Sequence, residues 1–209
     1  MERLAQEALQ LEREASEEFA LANEFLMGAF LGTGPRADPA RVSLLEAIDA
    51  ASERIEAEPS LADRGDVRAD LHVAFAFWYL SLDGRLDRAD VHATEALRLY
   101  EAADSTDEGY LAWAHETVGL VALQRGRFAE ARASLRRAHE LYRSAGSGEL
   151  NDARVAAALV HCFLELGDPE GALEFAEESH AVARRRLGDE DPQTESLLAT
   201  LEHVRSLVD

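Results

Sequence analysis

A single cysteine, Cys162, stands among 209 residues, which excludes an internal disulfide framework and every multi-cysteine metal motif. It falls in the apolar run from Ala157 to Phe163 and reads as a small buried residue rather than a reactive thiol. Basic residues are also scarce: 21 Lys and Arg against 41 Asp and Glu leave a formal net charge of -20. Such a chain repels a phosphate backbone and an anionic bilayer alike, so neither nucleic acid nor membrane is an expected partner. A protein or peptide carrying a basic patch would be steered inward, although the same acidity also serves solubility.

Long apolar runs are missing too. The longest, Phe25 to Leu31, is far short of a membrane span, and the opening MERLAQEALQLERE is too charged for a signal peptide. A cytoplasmic location is the expectation. With only 5 prolines and 13 glycines and 47% hydrophobic residues, there are few obligatory helix stops and enough apolar mass for a continuous core.

What is present is a repeat. The segments FWYLSLDGRLDRADVHATEAL, GLVALQRGRFAEARASLRRAH and VHCFLELGDPEGALEFAEESH align on Gly84, Gly126 and Gly167, at spacings of 42 and 41 residues. Ala89, Ala131 and Ala172 follow those glycines by five residues, and Ala96, Ala138 and Ser179 by twelve. Each glycine separates two apolar-periodic stretches, as a helix stop with positive φ requires. The unit is a helix hairpin that cannot bury its apolar face alone, so hairpins must stack into an all-α solenoid with a concave and a convex side.

A weaker copy, SLLEAIDAASERIEAEP, keeps Ala47, Ala51, Ile55 and Pro59 at the spacing of a second repeat helix. Its partner is expected in a long N-terminal helix from about Ala5 to Leu31, across a hinge at Gly32 to Ala40. Residues 1–41 therefore form an N-terminal helix and hinge, and 42–209 the repeat domain. Asp191 and Pro192 read as the N-cap and first turn of a last, capping helix to about Val208. Ser105 to Glu108 has the form of a capping box, and Gly146 to Asp152 reads as a loop.

These positions resemble tetratricopeptide repeats over about Val42 to Val208, with a period longer than the usual ~34 residues. The run LGDEDPQTESLL from Leu187 is similar to kinesin-light-chain-like repeats, through Leu187, Gly188, Asp189, Pro192 and Thr194. Asn23, Phe25, Leu26, Phe30, Asp38, Pro39, Leu45, Ala51, Ile55 and Leu71 resemble the juncture before the repeat region of bacterial serine/threonine protein kinases. The sequence has no glycine-rich phosphate loop, VAIK-like lysine, HRD or DFG. The resemblance thus implies a binding or regulatory module: either a free-standing interaction protein or the regulatory region of a kinase signalling system. The second case would allow an extracytoplasmic location.

In that family the first helix of each hairpin lines the concave face. The resemblance then places Leu71, Ala74, Trp78, Trp113, Glu116, Leu120, Leu123 and His161 in a partner-binding groove, where tryptophan favours a hot spot. The alternative is that the N-terminal helix folds back into the groove, or pairs two chains in a homodimer. Lysine and asparagine suited to a C-terminal carboxylate clamp are not at these positions. None of the 7 histidines forms HExxH or a close His/Cys cluster, the Asp189 to Asp191 run lacks the pattern of a calcium loop, and no serine sits in a nucleophile elbow. No cofactor, metal or catalytic residue is expected, and the chain reads as a non-enzyme.

Overall fold

The computed structural model describes residues 44–82, 85–103, 107–146 and 148–208, with residues 16, 17, 20–23, 25 and 26. Between Leu44 and Val208 the described chain forms eight α-helices: α1 (Leu44–Arg54), α2 (Gly65–Ser81), α3 (Leu86–Ala102), α4 (Glu108–Gln124), α5 (Phe128–Ala145), α6 (Glu149–Glu165), α7 (Pro169–Leu187) and α8 (Pro192–Val208). Two 3₁₀ turns, Ile55–Ala57 and Pro59–Leu61, join α1 to α2. No strand occurs among the described residues.

The hairpins are α2–α3, α4–α5 and α6–α7, and each helix packs on the next along the chain. First helices also touch one another, α2 with α4 and α4 with α6. That arrangement is an all-helical solenoid, and it explains two kinds of helix. Second helices bury one stripe: α3 buries Ala89, His92, Ala93, Ala96, Leu99 and Tyr100, spaced three and four apart, as one-sided packing requires. A first helix lies between neighbours, so α2 buries Val67, Ala69, Leu71, His72, Val73, Phe75, Ala76 and Tyr79 around most of its circumference.

The turn and crossing residues fall where the repeat placed them. Gly126 and Gly167 have φ of 72° and 73°, a left-handed conformation that a side chain disfavours; Gly84 lies outside the described residues. Ala89, Ala96, Ala131, Ala138 and Ala172 are fully buried and Ser179 nearly so. At Gly119, seven residues before the turn, an added Cβ would stand 2.6 Å from Leu135 Cγ, so α4 and α5 cross there at backbone distance.

Caps follow the sequence at two sites. Asp107 accepts from Gly109 N at 2.8 Å, and Asp191 from Gln193 N at 2.8 Å; Ser105 and Thr106 of the expected capping box are outside the described residues. One boundary is corrected. Glu149 to Asp152 is the first turn of α6 rather than loop, because Glu149 and Asp152 favour a helix N-terminus and only the glycine-rich approach to it is irregular.

Most of the N-terminal helix, the hinge and the proposed boundary at residue 41 lie outside the described residues. The part that is described is informative. Residues 16, 17, 20–23, 25 and 26 are helical, and Phe25, with Leu21, Ala22 and Leu26 against it, shares one buried cluster with Ile48, Ile55, Leu71, Phe75 and Tyr79.

Tyrosine hydroxyls tie second helices to first ones. Tyr100 donates to Asp70, Tyr142 to Glu116 at 2.8 Å, and Tyr79 to Asp49 at 2.7 Å. Burial, with Asp66 nearby, lifts the Asp70 carboxyl to about 6 despite the Tyr100 hydrogen bond, which acts the other way. The folded chain therefore holds a proton there that the unfolded chain, near 3.8, has lost. Stability from this group falls as pH rises from about 4 to 6 and stays reduced above. Asp70→Asn, which still accepts from Tyr100, is expected to stabilise the protein by about 1–2 kcal/mol at pH 7.5 and by little at pH 4. Urea melts at the two pH values measure it; an equal effect at both would mean that the carboxyl is not strained by burial.

Candidate interaction groove

Two depressions lie between successive first helices. The first, about 450 Å³, is lined by Asp107, Gly109, Tyr110 and Trp113 of the α4 end, Asn151 and Arg154 of α6, and Tyr142 from α5 beneath. The second, about 580 Å³, lies between α6 and α8, with Ala157, His161 and Leu164 on one side and Leu197, Thr200 and His203 on the other. Both are lined in part by α6, the first through Asn151 and Arg154 and the second through Ala157, His161 and Leu164.

The expected groove residues divide by burial. Ala74, Trp78, Trp113, Leu120 and Leu123 are half-buried and His161 is exposed. Trp113 packs on Phe77 at 6.5 Å between ring centroids, and Trp78 meets the edge of Phe75 at 5.2 Å; each indole is thus anchored to the core on one side. Two residues do not reach the surface. Leu71 is 1% exposed, covered within the cluster that Phe25 completes, and Glu116 is 0% exposed.

Glu116 is therefore an internal anchor rather than a groove edge. Its Oε1 accepts from Arg154 Nε at 2.5 Å and its Oε2 from Arg154 Nη2 at 2.7 Å, while Tyr142 donates to the same Oε2. A buried carboxylate is tolerated only when paired and hydrogen-bonded in this way. The consequence is outward: the Arg154 side chain, 51% exposed, is fixed as a wall of the first depression beside Trp113 and Tyr110. The neighbouring anion and the hydroxyl both raise the Arg154 pKa.

Tyr110, Tyr142 and Asn151, and the α8 side of the second depression, were not among the expected residues. Arg154 lies thirteen residues before Gly167, as Trp113 does before Gly126, so its register position was visible; its pairing was not. The lone cysteine is fully buried in the cluster to which helices α4 to α8 all contribute, and that burial pushes its thiol up to about 11, a protonated, unreactive form at neutral pH. Among the described residues no helix is long and apolar enough to cross a membrane.

No protein-family model matches the sequence, and no curated protein does. The structure is similar to the crystal structure of BtubC (BKLC) from P. vanneervenii, with 19% identity over 95% of this chain and 84% of that chain, at a TM-score of 0.57. At that identity the likeness concerns the fold, and with the sequential packing of the hairpins it makes this chain an all-helical repeat protein, an architecture suited in general to protein-interaction scaffolds.

Proposed function

We propose that the chain is a non-catalytic interaction module of the tetratricopeptide type that takes an extended, basic peptide or a basic protein segment along its first-helix face. The observation that carries this reading is the pair of depressions that α6 helps to line, whose walls combine the apolar body of Trp113 with Tyr110, the fixed Arg154 and the small residues of α6 and α8. Tyrosine, tryptophan and arginine on a rigid scaffold are the side chains that dominate protein interfaces. A charge of -20 supports a basic partner through steering. Of the eight contacts expected from the repeat register, Trp113 and His161 line these depressions, Ala74, Trp78, Leu120 and Leu123 are half-buried and line neither, and Leu71 and Glu116 lie beneath the surface.

Panning a random peptide library against the intact chain tests this. Enriched peptides should carry net positive charge, quench Trp113 fluorescence on binding, and lose about tenfold or more in affinity to Trp113→Ala, a hot-spot-sized effect. His161→Ala should weaken binding less. Circular dichroism of Trp113→Ala establishes that the fold survives, since the indole is supported by Phe77. Peptides that bind the two variants as well as the original chain would place recognition elsewhere.

A further inference from the structure

We propose that Glu56, His72 and Glu95 form a binding site for a divalent cation of the zinc class, with His92 positioning the imidazole ligand. His72 of α2 is 5% exposed and His92 of α3 6%. Their Nδ1 atoms lie 2.8 Å apart. The other ring nitrogen of His72, Nε2, stands 3.4 Å from Glu56 Oε1 in the turn after α1. Glu95, one helical turn beyond His92, completes a set in which one donor atom from each of the three residues lies within 4.8 Å of the others. These residues border an open depression of about 690 Å³.

The chemistry of the histidine pair is the reason to read this as a ligand set. A contact between two Nδ1 atoms needs a single proton between them. If His72 donates it, the bare Nε2 lone pair faces a carboxylate, an arrangement that a cation resolves. The outer hydrogen bond then fixes ring orientation and tautomer as it does for metal-bound imidazoles. If His92 donates instead, His72 Nε2–H serves Glu56 and the cluster is closed without an ion. The spacing admits an ion: two donors bound at ~2.0–2.1 Å to a tetrahedral centre stand roughly 3.3–3.4 Å apart, and Nε2 and Glu56 Oε1 are separated by 3.4 Å.

Arginines compete for both carboxylates, and they set the affinity. Arg68 pairs with Glu56 Oε2, leaving Oε1 toward His72, whereas Arg98 holds both oxygens of Glu95. Arg88 lies at 3.3 Å from Glu53 on the rim, with Asp90 alongside. The Arg98 side chain is 58% exposed, and such a surface pair is weak because water screens it, so a cation can displace it. Glu95 then swings the remaining distance to the ion, and water fills the open coordination position.

Titration of the full chain with Zn²⁺ by calorimetry, and with Co²⁺ by visible absorption, tests the site. One equivalent should bind with a dissociation constant on the order of 10 µM, weaker than a dedicated structural zinc site because two arginine pairs compete for the carboxylates, giving the intense ligand-field bands of four-coordinate cobalt. Glu95→Gln and Glu56→Gln, both at exposed or half-exposed positions, should each weaken binding by about tenfold or more with unchanged circular dichroism. Imidazole ¹⁵N shifts should show the His72 proton on Nδ1 in the zinc form. No uptake up to millimolar metal would overturn the proposal, as would uptake that both variants leave intact, which would assign the ion to surface pairs such as His161 and Glu165.

Discussion

Replacing Arg154 with alanine is expected to cost about 3 kcal/mol of folding stability, although half of that side chain lies in solvent. The cost arises at the other partner. Glu116 is fully buried, and without the guanidinium its charge keeps, among the described residues, a single side-chain donor, the Tyr142 hydroxyl. An uncompensated buried carboxylate must either stay charged in a poorly polar surrounding or take up a proton, and both cost free energy. Urea denaturation of the full chain measures the loss.

A double-mutant cycle distinguishes this account from simple loss of packing. In a Glu116→Gln background no buried charge is left, so Arg154→Ala should there cost only about 1 kcal/mol. The same loss in both backgrounds would show that Arg154 acts through its aliphatic stem and that Glu116 is accommodated by other means. The cycle also bears on the groove, because Arg154 is fixed toward the first depression by this pair.

Gly119→Val is expected to cost about 3 kcal/mol, at the upper end for overpacking. A Cβ at this position meets Leu135 Cγ at 2.6 Å, Leu135 Cδ2 at 2.8 Å and the Leu135 backbone nitrogen at 3.2 Å. The side-chain atoms can turn only into a filled core, since Leu135 is 0% exposed, and the backbone nitrogen cannot turn at all. A better intrinsic helix former returns less than about 1 kcal/mol against glycine. The helices must therefore separate, which opens the contact between α4 and α5 in the middle of the stack.

Relief of the clash is the diagnostic. Leu135→Ala alone should cost about 2–5 kcal/mol as a cavity, but combined with Gly119→Val the total should be well below the sum, because the valine occupies vacated space. Strict additivity would mean that the two residues do not share a contact, contrary to the geometry.

Much of the architecture was legible because helical repeats are written in local periodicities. Three glycines at spacings of 42 and 41 marked the turns, and φ values of 72° and 73° at Gly126 and Gly167 follow from what a tight helix stop demands. The small residues at Ala89, Ala131 and Ala172 marked the crossings for a similarly local reason: helix axes approach closely only where side chains are short. Asp191 and Pro192 announced α8 through the unsatisfied amides of a helix N-terminus. The loop expected at Gly146 to Asp152 was misjudged at its far end, since Asn and Asp serve the first turn of a helix as well as they serve a loop.

The sequence by itself thus determined the helices, their pairing at the glycines and the all-helical solenoid, and of the expected groove residues it placed Trp113 and His161 where depressions open. Only the tertiary structure decided which of those residues are covered and which side chains from distant segments meet. Leu71 is sealed within the cluster that contains Phe25, Glu116 is claimed by an arginine 38 residues away, and Glu56, His72, His92 and Glu95 converge from three elements. The physical reason is that a period fixes which face of a helix is apolar, whereas a contact across hairpins depends on helix rotation and offset. Those are set jointly by every side chain packed between the helices, and no single repeat contains them.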